Sequence, residues 1–230
     1  MILHRLQNEI ENYRKTLAQM PPVALSLFVV TVVAMNLLAN KELFHSEWIA
    51  LDCGVVLSWI PFLIMDCICK VYGGKAATRV SIFAIAINLL MFGIFKLVAL
   101  APGMWGEYYE TNMVEVNTAL NNTIGGSTWI VLGSALAMAL GSIVNSATNM
   151  SMGRMMHKDN YSAFAIRSFT STTFGQITDN LTFATVVSLP LFGWTLKQVL
   201  FCSLTSALIE LLLEVLFSRF GYKITKHWKK

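Results

Sequence analysis

Charged residues are scarce in this sequence: Asp, Glu, Lys and Arg together make up 13% of its 230 residues. Soluble domains usually carry about twice that share, roughly 25%. Apolar residues fill the difference, at 55% of the chain, and the mean hydropathy is +0.59. This composition lies outside the range of soluble domains and predicts one membrane domain.

Motifs for covalent chemistry, ATP hydrolysis and metal binding are also missing. The sequence has no Walker motif, no Gly-x-Ser-x-Gly, no His-Glu-x-x-His and no paired-aspartate protease motif. All four cysteines fall within predicted membrane spans, whereas none of the four histidines does. We therefore expect no enzyme activity, no cofactor, no metal site and no disulfide framework.

Long apolar runs occupy most of the chain. A helix needs about 20 apolar residues to cross the hydrocarbon core of a bilayer, and six such runs are separated by short polar connections. Because the runs are continuous rather than alternating, they favour helices over barrel strands. The sequence thus predicts an all-α membrane protein with six transmembrane helices, at 22–39, 48–69, 77–100, 128–149, 165–189 and 195–218.

Lys and Arg cluster on one side of these spans. Cytoplasmic loops hold such residues in excess, and 14 of the 17 lie before span one, around the links from two to three and four to five, or near the C-terminus. The longest loop of the other side, 101–127, contains Glu107, Glu110 and Glu115 and no basic residue. We predict that the protein lies in the cytoplasmic (inner) membrane and that both of its termini are in the cytoplasm. The net charge of +4 then reflects the basic residues of the cytoplasmic segments, and no nucleic-acid partner is expected.

The residues before span one form an amphipathic pattern. Apolar side chains recur at spacings of three and four from Leu3 to Met20, and charged side chains take other positions. This predicts a helix lying at the membrane interface, with a seam to a partner helix or a second copy as the alternative. The domain plan is an amphipathic helix at 1–20, a six-helix transmembrane domain at 21–220 and a basic cytoplasmic tail at 221–230.

Polar and ionisable side chains recur inside the predicted spans, where they are costly and usually mark a pathway or a site. Pairs four residues apart, such as Glu210 and Glu214, share a helix face. Single pairs also have a structural explanation, for example an ion pair between Asp66 and Lys70. The whole set, spread over several spans, predicts a polar cavity. Lys96 and Glu214 are excluded from it, because both are expected near a membrane interface.

A row of small residues marks span four. Gly133, Ala137 and Gly141 lie four apart, so a neighbouring helix can approach closely there. That neighbour can belong to the same chain or to a second copy. The sequence therefore leaves a homodimer open.

Two segments carry a family resemblance. They are 66–74, Asp-Cys-Ile-Cys-Lys-Val-Tyr-Gly-Gly, and 167–183, Arg-Ser-Phe-Thr-Ser-Thr-Thr-Phe-Gly-Gln-Ile-Thr-Asp-Asn-Leu-Thr-Phe, together with 36–41 at the end of span one. With the span count and topology, they resemble the vitamin uptake transporter family, also called queuosine precursor transporters. The resemblance implies import of a 7-deazaguanine, such as 7-cyano-7-deazaguanine, 7-aminomethyl-7-deazaguanine or queuine, for making queuosine in tRNA.

A 7-deazaguanine would need three kinds of partner. Its adjacent N–H donors suit a carboxylate, its carbonyl suits an amide, and its flat ring suits an aromatic side chain. The predicted partner of the N–H donors is Asp179 or Glu210. Gln176 and Asn36 are predicted to bind the carbonyl and the ring nitrogens, and Phe183 or Trp59 to stack on the ring. The predicted gate or scaffold residues near the cytoplasmic side are Asp66, Lys70, Asn145, Arg167 and Ser171.

Energy coupling stays open at this point. A proton or a sodium ion could bind Asp66, Asp179 or Glu210, whereas facilitated diffusion would need neither. Without a Walker motif we expect a secondary carrier or facilitator. One alternative is the substrate-binding subunit of an energy-coupling-factor transporter, which needs a small-residue docking groove that span one lacks. A second is an intramembrane enzyme, which no motif supports.

Overall fold

Helices dominate the computed structural model, which describes residues 2–106, 113–126, 128–156 and 159–228. Lys158, Lys229, Lys230, Glu107 and Glu110, which enter the orientation prediction, lie outside the described residues. The helices are α1 (Ile2–Gln19), α2 (Pro22–Leu38), α3 (Val55–Tyr72), α4 (Gly74–Leu100), α5 (Val114–Gly125), α6 (Thr128–Met155), α7 (Tyr161–Phe183) and α8 (Leu196–Thr225). α7 continues through a π-helical turn, Ala184–Ser188, and a short last turn, Leu189–Leu191.

A short antiparallel hairpin joins α2 to α3. Its strands are β1 (Glu42–His45) and β2 (Ala50–Asp52). The prediction that span two begins at residue 48 is therefore wrong. Residues 50–52 pair with β1 instead of continuing the helix, and the Asp52 carboxylate accepts a hydrogen bond from the Gly54 backbone N–H at 2.7 Å. α3 begins only at Val55.

The predicted loop 101–127 also contains regular structure. α5 occupies Val114–Gly125 and packs on α4, where a Cβ at Gly125 would lie 2.8 Å from Cβ of Ala99. The Trp105 indole N–H donates to the Asn121 side-chain oxygen at 2.7 Å. The missed signal is the spacing of Val116, Leu120 and Ile124, which gives α5 one narrow apolar stripe.

Four or five stretches of the described residues are long and apolar enough to cross a membrane. They include α3, α4, the stretch Val114–Met155 that holds α5 and α6, and α8. A fifth exists if Gln7–Gln19 and Pro22–Leu38, which bend by 105° at their junction, count as one span. α7 is not among them, because many of its residues are polar. The all-α, multi-pass class is confirmed, and the count of six spans stays a prediction.

The apolar core lies between α2, α3 and α4. Phe28 and Val32 of α2 pack there with Met65 and Ile68 of α3 and with α4. The side chains buried on the opposite side of α3, against α6, α7 and α8, are largely polar. α3 therefore packs against an apolar core on one side and, on the other, against helices that bury many polar side chains beside a smaller apolar cluster of Leu63, Cys67 and Phe164.

Contacts between helix ends define two ends of the bundle. At one, which we call the basic end, Lys70 of α3 pairs with Asp159 before α7 at 2.8 Å, and the Tyr13 hydroxyl of α1 donates to the Arg79 carbonyl at 2.6 Å. At the other, the hairpin end, the Ala50 backbone N–H donates to the Cys202 sulfur of α8 at 3.2 Å. Sites can therefore be placed along the bundle by these two ends.

α6 and α7 approach closely through glycine. A Cβ added at Gly175 of α7 would lie 2.8 Å from Cβ of Asn145 and 2.8 Å from the Phe62 ring, and one at Gly141 would lie 2.9 Å from Cβ of Asp179. The close packing predicted for the small residues of span four is confirmed. The neighbouring helix is α7 of the same chain, so the stripe does not require a second copy.

Replacing Gly175 by alanine is expected to lower stability by about 1–3 kcal/mol, because the added methyl group overpacks a contact with no room for it. Gly93→Ala is the matched control, since a Cβ at Gly93 on α4 meets nothing within 4 Å. Thermal unfolding of the purified variants measures both. Equal melting temperatures for the two variants would contradict the packing described for α6 and α7.

Candidate functional site

A cavity of about 410 Å³ lies at the hairpin end, between the hairpin, α2, α3, α6, α7 and α8. This volume falls within the roughly 300–1,000 Å³ typical of small-molecule sites. Four acidic residues line it, Glu42, Asp52, Asp179 and Glu210. The cavity therefore combines a ligand-sized space with several acceptors for N–H donors.

Glu210 is held by two neighbours. The Ser58 hydroxyl donates to its Oε1, and the Asn180 side-chain N–H donates to its Oε2 at 3.0 Å. The residue is only 2% exposed. Both oxygens of this carboxyl thus already have partners within the protein, which fixes its orientation at the cavity wall.

Asp179 differs from Glu210 in having no such neighbours. It lines the cavity from α7 and is half-buried. Within the described part of the chain its carboxyl has no hydrogen bond or ion pair. A ligand with N–H donors would give these oxygens the hydrogen bonds that the protein does not supply.

Asn36 presents an oriented amide to the same cavity from α2. Its side-chain N–H donates to the Val32 carbonyl at 2.9 Å, and its side-chain oxygen accepts from the Ser134 hydroxyl of α6. An amide nitrogen carries two hydrogens. One of them therefore remains for an acceptor in the cavity.

Asp52 is a cavity residue that belongs to the polar residues of the predicted spans but not to the predicted substrate-binding set. Burial raises the pKa of its carboxyl, while the backbone N–H groups of Gly54 and Val55 lower it and the negative charge of Glu42 raises it. The sequence placed Asp52 in a predicted membrane span, whereas the structure places it in the hairpin, where it lines the cavity.

The end of α7 forms an aromatic wall. Phe183 lines the cavity directly before the π-helical turn, and Phe192 and Trp194 line it after that turn. The Trp129 indole N–H donates to the Val186 carbonyl inside the turn at 3.0 Å. π-turns within helices are frequent at functional sites, and this one lies between Phe183 and the other two aromatic residues of the wall.

Two predicted binding residues are not brought to the cavity. The Trp59 ring stacks on Phe217 at 4.6 Å, with an interplanar angle of 18°, and its N–H donates to the Val56 carbonyl. Gln176 is fully buried, and among the described residues neither polar atom of its side chain has a hydrogen-bond partner. Of the predicted set, the cavity is lined by Asn36, Asp179, Phe183 and Glu210.

A second polar group lies deeper in the bundle, around Asp66 of α3. Its carboxyl is fully buried and accepts hydrogen bonds from helices α6 and α7. Two of the predicted scaffold residues, Asn145 and Ser171, are among the donors. The donors, with distances to the Asp66 oxygens, are Asn145 (2.8 Å), Asn149 (3.0 Å), Ser171 (3.0 Å), Ser168 (2.7 Å) and Thr172 (3.2 Å).

Glu214 belongs to this buried group, contrary to its predicted place near the interface. It is 0% exposed, and its Oε1 lies 2.5 Å from the Ser168 hydroxyl oxygen. The prediction was wrong because α8 runs to Thr225, beyond the predicted end at residue 218. The spacing of Glu210 and Glu214 was the available signal, since it places both on one face of α8.

Arg167 and Lys70 lie toward the basic end. The Arg167 guanidinium donates to the Asn149 side-chain oxygen at 2.7 Å. Lys70 pairs with Asp159 at 2.8 Å and lies over the Tyr222 ring at 4.2 Å. The alternative of an ion pair between Lys70 and Asp66 is therefore wrong: Asp66 is satisfied by neutral donors. Among the described residues, no three His, Cys, Asp or Glu side chains lie close enough together to hold a metal ion.

Several helices long and apolar enough to cross a membrane, packed around a ligand-sized cavity of mixed apolar and polar lining, are the features of a multi-pass membrane protein. The chain belongs to the family whose model is described as "Putative vitamin uptake transporter", which matches residues 52–224. That stretch runs from β2 to the end of α8 and includes every residue of the Asp66 network. No curated protein and no solved structure matches the chain. Family membership indicates a transporter rather than an enzyme.

Proposed function

We propose that this protein imports queuosine precursors of the 7-deazaguanine class across the cytoplasmic membrane, as a secondary carrier or facilitator. The observation that carries the proposal is the Asp179 carboxyl, which lines a ligand-sized cavity and lacks a partner among the described residues. Family membership supports uptake of a vitamin-like solute, and the cavity chemistry suggests which kind.

The three functional groups of a 7-deazaguanine have counterparts at this cavity. Asp179 would accept from the two adjacent N–H groups of the ring edge, in the bidentate arrangement that carboxylates favour. The free N–H of Asn36 would donate to the ring carbonyl, and Phe183 would stack on the flat face. Glu210, already bonded on both oxygens, is better suited to holding Asn180 and Ser58 than to binding the cargo.

The proposed topology has six spans with both termini in the cytoplasm. α7 would be the remaining span, the fifth in chain order, and its hydroxyl and amide groups would be tolerated because most of them are buried in the bundle rather than facing lipid. The hairpin end would then face away from the cytoplasm, so the cavity would take its cargo from that side. The basic end would lie in the cytoplasm, as expected for loops rich in Lys and Arg.

Transport by the purified chain alone tests the proposal. We expect liposomes containing this protein and preloaded with unlabelled 7-cyano-7-deazaguanine to take up the labelled compound, without ATP and without a second protein. Guanine and an unrelated vitamin are the comparison solutes. No exchange of any 7-deazaguanine would overturn the proposal, whereas exchange that required ATP and an ATPase module would favour the energy-coupling-factor alternative.

The two predicted stacking residues are expected to behave differently. Phe183→Ala should weaken 7-deazaguanine binding by about 10-fold, because stacking of a base on an aromatic ring is worth roughly 1–3 kcal/mol. Trp59→Leu should leave binding unchanged, since the Trp59 ring packs on Phe217 outside the cavity. Dissociation constants of the purified variants decide the matter. A loss of affinity confined to Trp59→Leu would contradict the placement of the cargo.

A further inference from the structure

One hydroxyl group bridges two buried carboxyl groups in this protein. The Ser168 oxygen lies 2.7 Å from Oδ2 of Asp66 and 2.5 Å from Oε1 of Glu214. A serine hydroxyl has a single hydrogen, so it can donate to only one of them. The other short O···O contact needs a hydrogen from the carboxyl side. One of the two carboxyl groups must therefore carry a proton when both contacts are made.

The groups that surround the carboxyl pair of Asp66 and Glu214 come from α6, α7, α8 and α3 itself. On α6 the groups facing Asp66 are the uncharged amides of Asn145 and Asn149. α7 contributes hydroxyl groups and the Arg167 guanidinium, which does not contact Asp66 but donates to the Asn149 side chain that does. α8 contributes Glu214 itself. On α3, Cys67 and Cys69 are buried beside Asp66, and Lys70 is engaged with Asp159.

The remaining neighbours of α3 bring no further charge into the network. α2 contains no ionisable residue. Lys75 and Lys96 of α4 are exposed, and Arg79 bonds to Thr16 and Glu9 of α1. Two carboxylates would thus face each other in a buried site without a cation in contact. Burying such a pair fully ionised is costly, and one proton removes most of that cost.

Unsatisfied polar atoms next to the pair show that the network has unused capacity for a proton donor or acceptor. Oε2 of Glu214 and Oδ1 of Asn145 are buried and have no hydrogen-bond partner in the described chain. The Gln176 amide is likewise buried and unpartnered on both atoms, one turn beyond Thr172 on α7. Buried polar groups are rarely left unsatisfied, and exceptions often mark a functional role.

Polar side chains on one face of α7 and one face of α8 lie between the carboxyl pair and the cavity. On α7, Thr172, Gln176 and Asn180 are four residues apart, and Asn180 bonds to Glu210 at the cavity wall. On α8, Glu210 and Glu214 are also four apart, a rise of about 6 Å along the helix. The cavity and the carboxyl pair therefore lie about one helical turn apart along the same two helices.

We propose that Asp66, Ser168 and Glu214 bind one exchangeable proton that is coupled to cargo movement. In the protonated site the Glu214 acid donates to Ser168, and Ser168 donates to the Asp66 carboxylate. Release of that proton to water leaves only the Ser168 hydrogen for the two contacts that Ser168 makes, so either its contact with Glu214 of α8 or its contact with Asp66 of α3 is lost, while the other donors to Asp66 remain. Proton loss thus favours a different arrangement of these helices. The coupling to cargo rests on the proposed function, whereas the proton site rests only on the contacts among Asp66, Ser168 and Glu214.

Infrared spectroscopy tests the proton without any cargo. We expect spectra of the protein in nanodiscs at low minus high pH to contain the C=O stretching band of a buried carboxylic acid. That component should disappear in Glu214→Gln, and Ser168→Ala should shift it by removing the bridging hydroxyl. Glu47→Gln, an exposed residue of the hairpin, is the control and should leave it unchanged. A band that persists unchanged in both Glu214→Gln and Ser168→Ala, or is absent from the wild type, overturns the proton site.

Transport in liposomes tests the coupling. A pH gradient, acidic on the hairpin side, is expected to drive accumulation of 7-cyano-7-deazaguanine and inward proton movement reported by a trapped dye. Glu214→Gln should lose both effects and keep exchange without a gradient, whereas Glu47→Gln should keep all three. Wild-type exchange that ignores the gradient overturns the coupling and leaves the proposed function standing. An absence of all 7-deazaguanine exchange overturns the proposed function, and the infrared result still decides the proton site.

Discussion

Replacing Asp179 by alanine is expected to weaken 7-deazaguanine binding by about 10- to 100-fold, the loss of roughly 1.5–3 kcal/mol for a hydrogen-bonded charged group. The protein should stay folded, because the Asp179 carboxyl has no hydrogen bond or ion pair among the described residues that could be lost. Binding and exchange rates of the purified variant, at matched melting temperature, provide the measurement.

Glu210→Ala is the informative comparison for Asp179→Ala. That change removes the acceptor for the Ser58 hydroxyl and the Asn180 amide, so we expect a lower melting temperature as well as weaker binding. Asp179→Ala with unchanged affinity, or with a fall in melting temperature as large as that of Glu210→Ala, would contradict the roles assigned to the two carboxyl groups.

Replacing Asp66 by alanine is expected to destabilise the protein by about 3 kcal/mol or more, because each buried donor left without an acceptor costs roughly 1–3 kcal/mol. Five donors from α6 and α7 bond to this carboxyl, so its loss removes the hydrogen bonds that join Asp66 of α3 to both helices. Thermal unfolding of the detergent-purified protein measures it.

Asp66→Asn is the matched variant for that prediction. Its side-chain carbonyl can still accept from the α6 amides, and the hydroxyls of Ser168 and Thr172 can turn to accept from its amide group. We therefore expect a smaller loss of stability than for Asp66→Ala. Equal melting temperatures for wild type and Asp66→Ala would show that the network does not hold the helices together.

Most helices could be predicted from the sequence because a membrane span is recorded directly in a long apolar run. The hairpin and α5 could not. Ala50 and Leu51 are as apolar as a helix start, and only their pairing with β1 makes them a strand. The apolar stripe of α5 is narrow, so its helix depends on packing against α4.

The candidate site was predictable in its residue types but not in its geometry. Intramembrane polar side chains pointed to Asn36, Asp179 and Glu210, all of which line the cavity. Depth along a helix is not recorded in the spacing, which is why Glu214 was assigned to the interface and Gln176 to the cargo. The continuation of α8 to Thr225 leaves Glu214 about three turns from the end of that helix.

The central claim is that this cavity binds a 7-deazaguanine, and a thermal-shift panel on the detergent-purified protein tests it most directly. The panel contains queuine, 7-cyano-7-deazaguanine, 7-aminomethyl-7-deazaguanine, guanine and common vitamins. A ligand that binds only the folded protein raises its melting temperature. We predict a rise with one or more of the 7-deazaguanines that is lost in Asp179→Ala. A rise with an unrelated vitamin and with none of the 7-deazaguanines would contradict the claim.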